Sequence, residues 1–281
     1  PMQIGQVNRS QKEELYFGGK GINVSFVLKE LGVSSIALGF VAGFTGTAIE
    51  DGIQKKGIAT DFVHLDSGFS RINVKIKSAE ETELNGQGPD ISDAAVAQLF
   101  EKLDQLQDGD VLILAGSIPN TMPTNSYEKI LAYLSGKKIK VVVDATKDLL
   151  LKVLHYHPFL IKPNNYELGE LFGVSLRSIE EIAVYAKKLQ EMGAQNVLVS
   201  MAGDGALLID ETGKQHVCDA CQGVVKNSVG AGDSMVAGFV AGSMNGSYET
   251  ALKLGTAAGG ATAFSEGLAQ REKIEQLMRQ L

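Results

Sequence analysis

Asn227-Ser228-Val229-Gly230-Ala231-Gly232-Asp233-Ser234 runs directly into the apolar residues 235–241. A glycine-rich turn here opens a helix and carries an acid into its first turn. The N–H groups of Val229, Gly230, Ala231 and Gly232 then have no intrahelical acceptor and gather at the positive end of a helix dipole, an arrangement that suits a phosphate. Asp233 at the edge of that site would repel the phosphate. The cost makes sense if the carboxylate takes a proton from a hydroxyl attacking a phosphoryl group held there. The plain structural alternative is an aspartate that caps a helix.

A second glycine-rich element, Gly18-Gly19-Lys20-Gly21-Ile22-Asn23-Val24, stands at the head of the helix-like run 24–31. Its glycines permit close backbone approach to a ligand, Lys20 supplies a flexible cation, and Asn23 offers both donor and acceptor to sugar hydroxyls. The competing reading is a tight strand-to-helix turn with a solvated lysine. Neither G-x-G-x-x-G nor G-x-x-x-x-G-K-[ST] can be read at this site, so it carries no dinucleotide or P-loop fingerprint.

Between the two loops, apolar strand-like runs alternate with amphipathic helices: 35–40 then 46–56, 111–115 then 123–134, 141–144 then 147–154. Runs such as Val111-Leu112-Ile113-Leu114 and Val141-Val142-Val143 are apolar throughout, as strands buried on both faces of a parallel sheet must be. Gly116, Asp144, Lys162 and Ser200 each follow a strand and project to one rim of that sheet, where ligands of such folds gather. Residues 70–85 differ. Ile72, Val74 and Ile76 alternate with Asn73, Lys75 and Lys77 before a second strand-like run, which predicts an antiparallel hairpin.

The chain of 281 residues is 44% hydrophobic, enough for a substantial core, and predicts one large α/β domain with an appendage. A formal charge of −7 without blocks of like charge argues against sequence-independent binding to nucleic acid or acidic membranes. No apolar run approaches the ~20 residues of a membrane helix and no signal peptide is legible, so the expectation is a soluble cytoplasmic protein. Cys218 and Cys221 form a lone Cys-x-x-Cys pair after a strand-like run, which reads as free structural thiols. His155 and His157 fall in no motif and read as structural.

Five ordered motifs carry a resemblance: the early glycine loop, Gly116-Ser117-Ile118-Pro119, Lys162-Pro163-Asn164-Asn165-Tyr166-Glu167, Ser200-Met201-Ala202-Gly203-Asp204-Gly205, and the late Gly-Ala-Gly-Asp. Together they resemble the ribokinase-type (PfkB) carbohydrate kinases over essentially the whole chain. The resemblance implies a ribokinase-like three-layer αβα sandwich with a mainly parallel central sheet and a small β-sheet lid. The core would comprise residues 18–65 and 89–281. The lid would comprise 3–17 and 66–88, with strands at 3–9 and 12–17 joining the hairpin and a homodimer forming through the lid's apolar outer face.

The same resemblance implies roles for particular residues. Asp233 is the expected base beside an anion hole at Gly230, Ala231 and Gly232. Gly19, Lys20, Asn23, Arg71 and Arg9 would meet the substrate, with Arg71 favoured for its phosphate because a guanidinium matches phosphate oxygens. Lys75 and Lys77 read instead as solvated. Lys162, Asn164, Ser200, Gly203 and Gly205 would meet ATP, and Asn164 with Glu167 would hold a hydrated Mg²⁺. Without the preceding Lys-Pro, that Asn-x-x-Glu would read as a helix cap with an acidic first turn.

The motifs lean toward the subgroup that phosphorylates ketohexose monophosphates with ATP, fructose 1-phosphate being the expected acceptor. Phosphorylation of tagatose 6-phosphate or fructose 6-phosphate is the alternative, and a non-catalytic sugar-phosphate or nucleotide sensor a more distant one. One departure touches the sugar site. The resembled family opens with a strand ending in Asn-Pro and a following sugar-binding Asp, whereas this numbering starts at Pro1-Met2-Gln3-Ile4. The expectation is that this segment is disordered and lies ahead of the numbering.

Overall fold

Val142 and Val143, adjacent in one strand, are both fully buried, and they belong to two different cores. That is what a strand buried on both faces requires, because successive side chains point to opposite sides. The computed structural model describes residues 3–78, 80–145 and 147–281. Its elements run α1 (Lys20–Glu30), β1 (Ile36–Ala37), β2 (Phe40–Ala42), α2 (Gly43–Lys55), β3 (Ala59–Thr60), β4 (Val63–Leu65), β5 (Asn73–Lys77), β6 (Glu81–Asn85) and α3 (Asp93–Leu103). They continue with β7 (Val111–Ala115), α4 (Ser126–Leu134), β8 (Lys140–Asp144), α5 (Lys147–Val153), β9 (Leu160–Ile161), α6 (Asn165–Phe172), α7 (Ile179–Glu191) and β10 (Asn196–Ser200). The last are β11 (Ala206–Ile209), β12 (Gln215–Cys218), α8 (Ala231–Asn245), α9 (Tyr248–Ala263) and α10 (Arg271–Met278).

The main sheet has the order β12-β11-β10-β9-β8-β7. Strands β7 to β10 are parallel, while β11 and β12 return antiparallel at one edge. Val142, Leu160, Leu198 and Leu208 face α1, α8, α9 and α10, whereas Val143, Ile161, Val197, Val199, Leu207 and Ile209 face α4 to α7. Helices on both faces make the three layers, and each fully buried Leu or Ile contributes about 2 kcal/mol to holding them together.

The strand expected at 35–40 divides into β1 and β2 around Gly39, whose φ of 152° breaks the run. Each half pairs separately and in parallel, β1 with β3 and β2 with β4. The hairpin forms as expected, with Val74 opposite Leu84 and Lys75 opposite Glu83. Lys75 Nζ lies 2.5 Å from Glu83 Oε1, an exposed cross-strand pair.

The N-terminal lid strands do not form. Residues 3–9 and 12–17 are irregular and, apart from half-buried Phe17, exposed, and among the described residues none pairs with β5 or β6. A strand needs a neighbour for its ladder, and among the described residues this segment has none. Phe17 instead packs among the apolar side chains of α1 and α2, so close to Gly52 that a Cβ there would sit 2.2 Å from its ring.

Helix α8 is apolar on nearly every side and lies against α9, and this pair fixes the position of its first turn. At Gly238 a Cβ would fall 2.5 Å from the Leu254 carbonyl, and at Gly242 2.6 Å from Ala251 Cα. Only a residue without a side chain lets the two backbones approach this far. Among the described residues no helix is long and apolar enough to cross a membrane.

Candidate active site

The two glycine loops meet through one hydrogen bond: Asn23 Nδ2 donates to Asp233 Oδ2 at 2.8 Å, across 210 residues of chain. Both helices pack on the same face of the sheet, α1 starting after Gly19 at φ 133° and α8 after Gly230 at φ 83°, so their first turns converge. The turn before Asp233 is tied down by Ser234 Oγ, which donates to the Gly230 carbonyl at 2.8 Å and lies 2.7 Å from Thr262 Oγ1. Asp233 is 5% exposed. Burial pushes its carboxyl above the ordinary range, and the charge of Asp144 adds to this, while Asn23, Lys20 and Lys162 oppose it. Raised proton affinity is what a base at this position needs.

Not all four amides expected at the anion hole are free. Asn227 Oδ1 accepts the Val229 N–H at 3.1 Å and the Ser228 carbonyl accepts that of Ala231 at 3.2 Å. Among the described residues, those of Gly230, Gly232 and Asp233 meet no protein acceptor. A short polar side chain two residues back closes the loop on itself before a ligand can, as Asn readily does. The hole is therefore narrower than the sequence suggested, and it is centred on the two glycines.

A second acid completes the cluster. Asp144, at the end of β8 and 3% exposed, lies with Oδ2 3.0 Å from Lys20 Nζ and Oδ1 3.3 Å from Lys162 Nζ. Lys162 is itself 5% exposed, and a side chain added at Gly232 would come within 3.2 Å of its Nζ. Burial pulls the Lys20 ammonium down, but Asp144, with smaller help from Asp233 and Glu167, outweighs it and leaves the pKa raised. The sequence reading placed Asp144 on the rim and gave it no role. Its one legible signal was an acid closing the apolar run Val141-Val142-Val143.

Asn164 and Glu167 form a reciprocal cap on α6: Asn164 Oδ1 accepts the Glu167 N–H and Glu167 Oε2 accepts the Asn164 N–H, both at 2.8 Å. The cap occupies one Glu167 oxygen and leaves acceptor capacity on the other. Among the described residues no cluster of three or more His, Cys, Asp or Glu could cage a metal. A sparse oxygen donor set of this kind fits a Mg²⁺ that keeps most of its water. Ser200 bridges to Asn164 at the next strand end. Gly205 is obligatory in the following turn, since a Cβ there would meet the Cys218 carbonyl at 2.1 Å.

This geometry agrees with what sequence comparison finds. The pattern of the pfkB family carbohydrate kinases matches residues 3–274. The chain belongs to that family. A 1-phosphofructokinase of Bacillus subtilis (strain 168) is 48% identical over 276 residues, covering 98% of this chain and 90% of the relative. A D-tagatose-1-phosphate kinase of Bacillus licheniformis is 40% identical over 277 residues, with coverage of 98% and 90%. A solved Staphylococcus aureus structure, described as a candidate phosphofructokinase, is 42% identical and superposes with a TM-score of 0.89 over 100% of this chain and 91% of its own. The ribokinase-like architecture expected from the motifs is the one observed.

In this pfkB kinase the structure thus gathers Gly19, Lys20, Asn23, Lys162, Gly230, Ala231, Gly232 and Asp233, with Asn164, Glu167, Ser200, Gly203 and Gly205 on neighbouring strand ends. Arg71 and Arg9 stand apart. Both are exposed, and among the described residues neither makes an ion pair or side-chain hydrogen bond. Arg71 sits where the chain enters the hairpin, beside Gly86 and Gly88. The other motifs are structural: Cys218 and Cys221 are buried free thiols, and His157 Nδ1 lies 3.0 Å from the Gly193 carbonyl.

Proposed function

We propose that this kinase transfers the γ-phosphoryl group of ATP to fructose 1-phosphate, giving fructose 1,6-bisphosphate and ADP. The observation that carries the reading is the Asn23–Asp233 hydrogen bond, which ties the sugar loop to the base beside the Gly230 and Gly232 amides. Asp233 takes the proton of the attacking hydroxyl as its oxygen bonds to the γ-phosphorus, and the bond to the β–γ bridging oxygen breaks. The Gly230 and Gly232 N–H groups and the Lys20 and Lys162 ammonium groups stabilise the charge on the transferring group.

Glu167 and Asn164 would hold a Mg²⁺ through water, and the ion would supply neutralisation of charge on the nucleotide phosphates. Ser200, Gly203 and Gly205 form the turn on which the nucleotide rests. Arg71, with Arg9 as second candidate, reaches the acceptor's own phosphate when the hairpin closes over the sugar and excludes water. The exposed apolar residues Ile72, Val74 and Leu84 of the hairpin support a homodimer formed through the lid. Two buried free thiols suit the reducing cytoplasm.

Both named relatives take a ketohexose 1-phosphate by name, which favours acceptors phosphorylated at C1 and makes tagatose 1-phosphate the second reading. ADP release should be measured with fructose 1-phosphate, tagatose 1-phosphate, tagatose 6-phosphate and fructose 6-phosphate. The highest kcat/KM is expected with fructose 1-phosphate. A tenfold preference for either 6-phosphate would overturn the acceptor, and ADP release with none of them would return the sensor reading.

A further inference from the structure

Two lysines from separate motifs converge on a single carboxylate that neither motif contains. Lys20 is the first residue of α1, Lys162 follows β9, and Asp144 closes β8 between them. We propose that Asp144 is a positioning residue, one buried carboxylate that holds the Lys20 and Lys162 ammonium groups side by side toward Gly232 and Asp233, where the phosphoryl group crosses. The inference rests on the phosphotransfer reading and adds to it the part that aims the cations.

Lysine is a point charge on a flexible stem, so its direction must come from outside the side chain. Two ammonium groups drawn to one site also repel, and burial adds the cost of desolvating Lys162. A carboxylate between them removes both penalties while using one of the three donors on each ammonium. The other donors remain for phosphate oxygens. Cations fixed in this way stabilise transition-state charge without reorganising when it develops.

Asp144 is held in turn from the edge of the sheet. Its backbone carbonyl accepts the Gly116 N–H at 3.2 Å, and the Gly116 carbonyl accepts the Tyr127 hydroxyl at 3.1 Å. The charged groups acting on Asp233 are then Lys20 from α1, Asp144 from β8 and Lys162 after β9, with the neutral donor Asn23. Loss of the Asp144 charge must make Asp233 a weaker base.

The test compares Asp144→Asn and Asp144→Glu with the parent in the full chain, using whichever phosphosugar the parent turns over. For Asp144→Asn, kcat should fall about 100-fold, the scale of losing an aimed charge in a closed site. The KM for ATP should stay level or drop, because a net positive charge has been added. The acid limb of the pH profile of kcat/KM should move to lower pH, and Asp144→Glu should recover part of the lost rate.

A kcat within threefold of the parent would overturn the proposal. So would a loss matching the unfolded fraction in a thermal melt, or one restored by raising Mg²⁺, which would make Asp144 a metal ligand. Titration with a non-hydrolysable ATP analogue decides the matter even if no sugar is turned over: equal or tighter binding to Asp144→Asn is expected, and weaker binding overturns the proposal. A parent inert toward every sugar would sink the phosphotransfer reading itself, an outcome the analogue titration keeps distinct from a failure of the Asp144 proposal.

Discussion

Asp233 and Asp210 are buried to nearly the same degree, 5% and 4% exposed, at opposite ends of the sheet, and their proton affinities move in opposite directions. Asp210 Oδ1 accepts from Thr212 N at 2.9 Å, Thr212 Oγ1 at 2.6 Å and Lys214 N at 3.1 Å, and Oδ2 lies 2.7 Å from His216 Nε2. Burial alone would raise its pKa, but these donors overcome it and hold the carboxyl down at about 2. Among the described residues Asp233 has one protein donor, Asn23, and burial wins. Low exposure alone is therefore not what separates a structural acid from a chemical one. The number of donors matters as well, and a desolvated carboxylate left short of them keeps the proton affinity a base requires.

The largest expected effect comes from breaking the functional half of this contrast. Asp233→Asn should lower kcat by about 10³-fold, within the range for a general base. Because the folded-state pKa of Asp233 is raised, ionising it costs stability as pH increases, so the variant's Tm at neutral pH should equal or exceed the parent's. Near-normal turnover would refute the role assigned to this carboxylate.

Asp210→Asn should do the reverse. A carboxyl moved from 3.8 to about 2 corresponds to about 2 kcal/mol of stability, and kcat should remain within twofold of the parent. Since this folded-state pKa is depressed, the contribution is complete above 3.8 and is lost as pH falls toward about 2. Denaturant titrations across that window should show the parent losing more stability than the variant, and parallel losses would refute the assignment.

Asn23→Ala sharpens the contrast by removing the one donor that Asp233 has among the described residues. A tenfold drop in kcat/KM is the order of one lost hydrogen bond, and the acid limb of the pH profile should move to higher pH. The smallest change is expected for His216→Ala, which leaves Asp210 three of its four donors. It should cost about 1 kcal/mol in a thermal melt and leave turnover unaltered.

Much of the architecture was legible because its signals are local. Apolar runs marked β7 and β8, alternation marked the β5–β6 hairpin, and the two glycine loops marked the first turns of α1 and α8. The failures were questions of pairing. The strands at 3–9 and 12–17 were implied by the family resemblance, but a strand exists only when a neighbour completes its ladder, and among the described residues none pairs with them. The amides of Val229 and Ala231 looked free because nothing in composition says that Asn227 and Ser228 will turn back to accept them.

Residue order was sufficient for the existence of two anion-friendly turns, an acid at one of them and a sheet rim to carry both, since each depends on backbone preferences within a few residues. Assembly alone could bring Asn23 to Asp233 and place Asp144 between Lys20 and Lys162. Those meetings span long separations in the chain. They follow from how closely α8 approaches α9 and how α1 shares their face of the sheet, and packing of that kind is a property of the whole core.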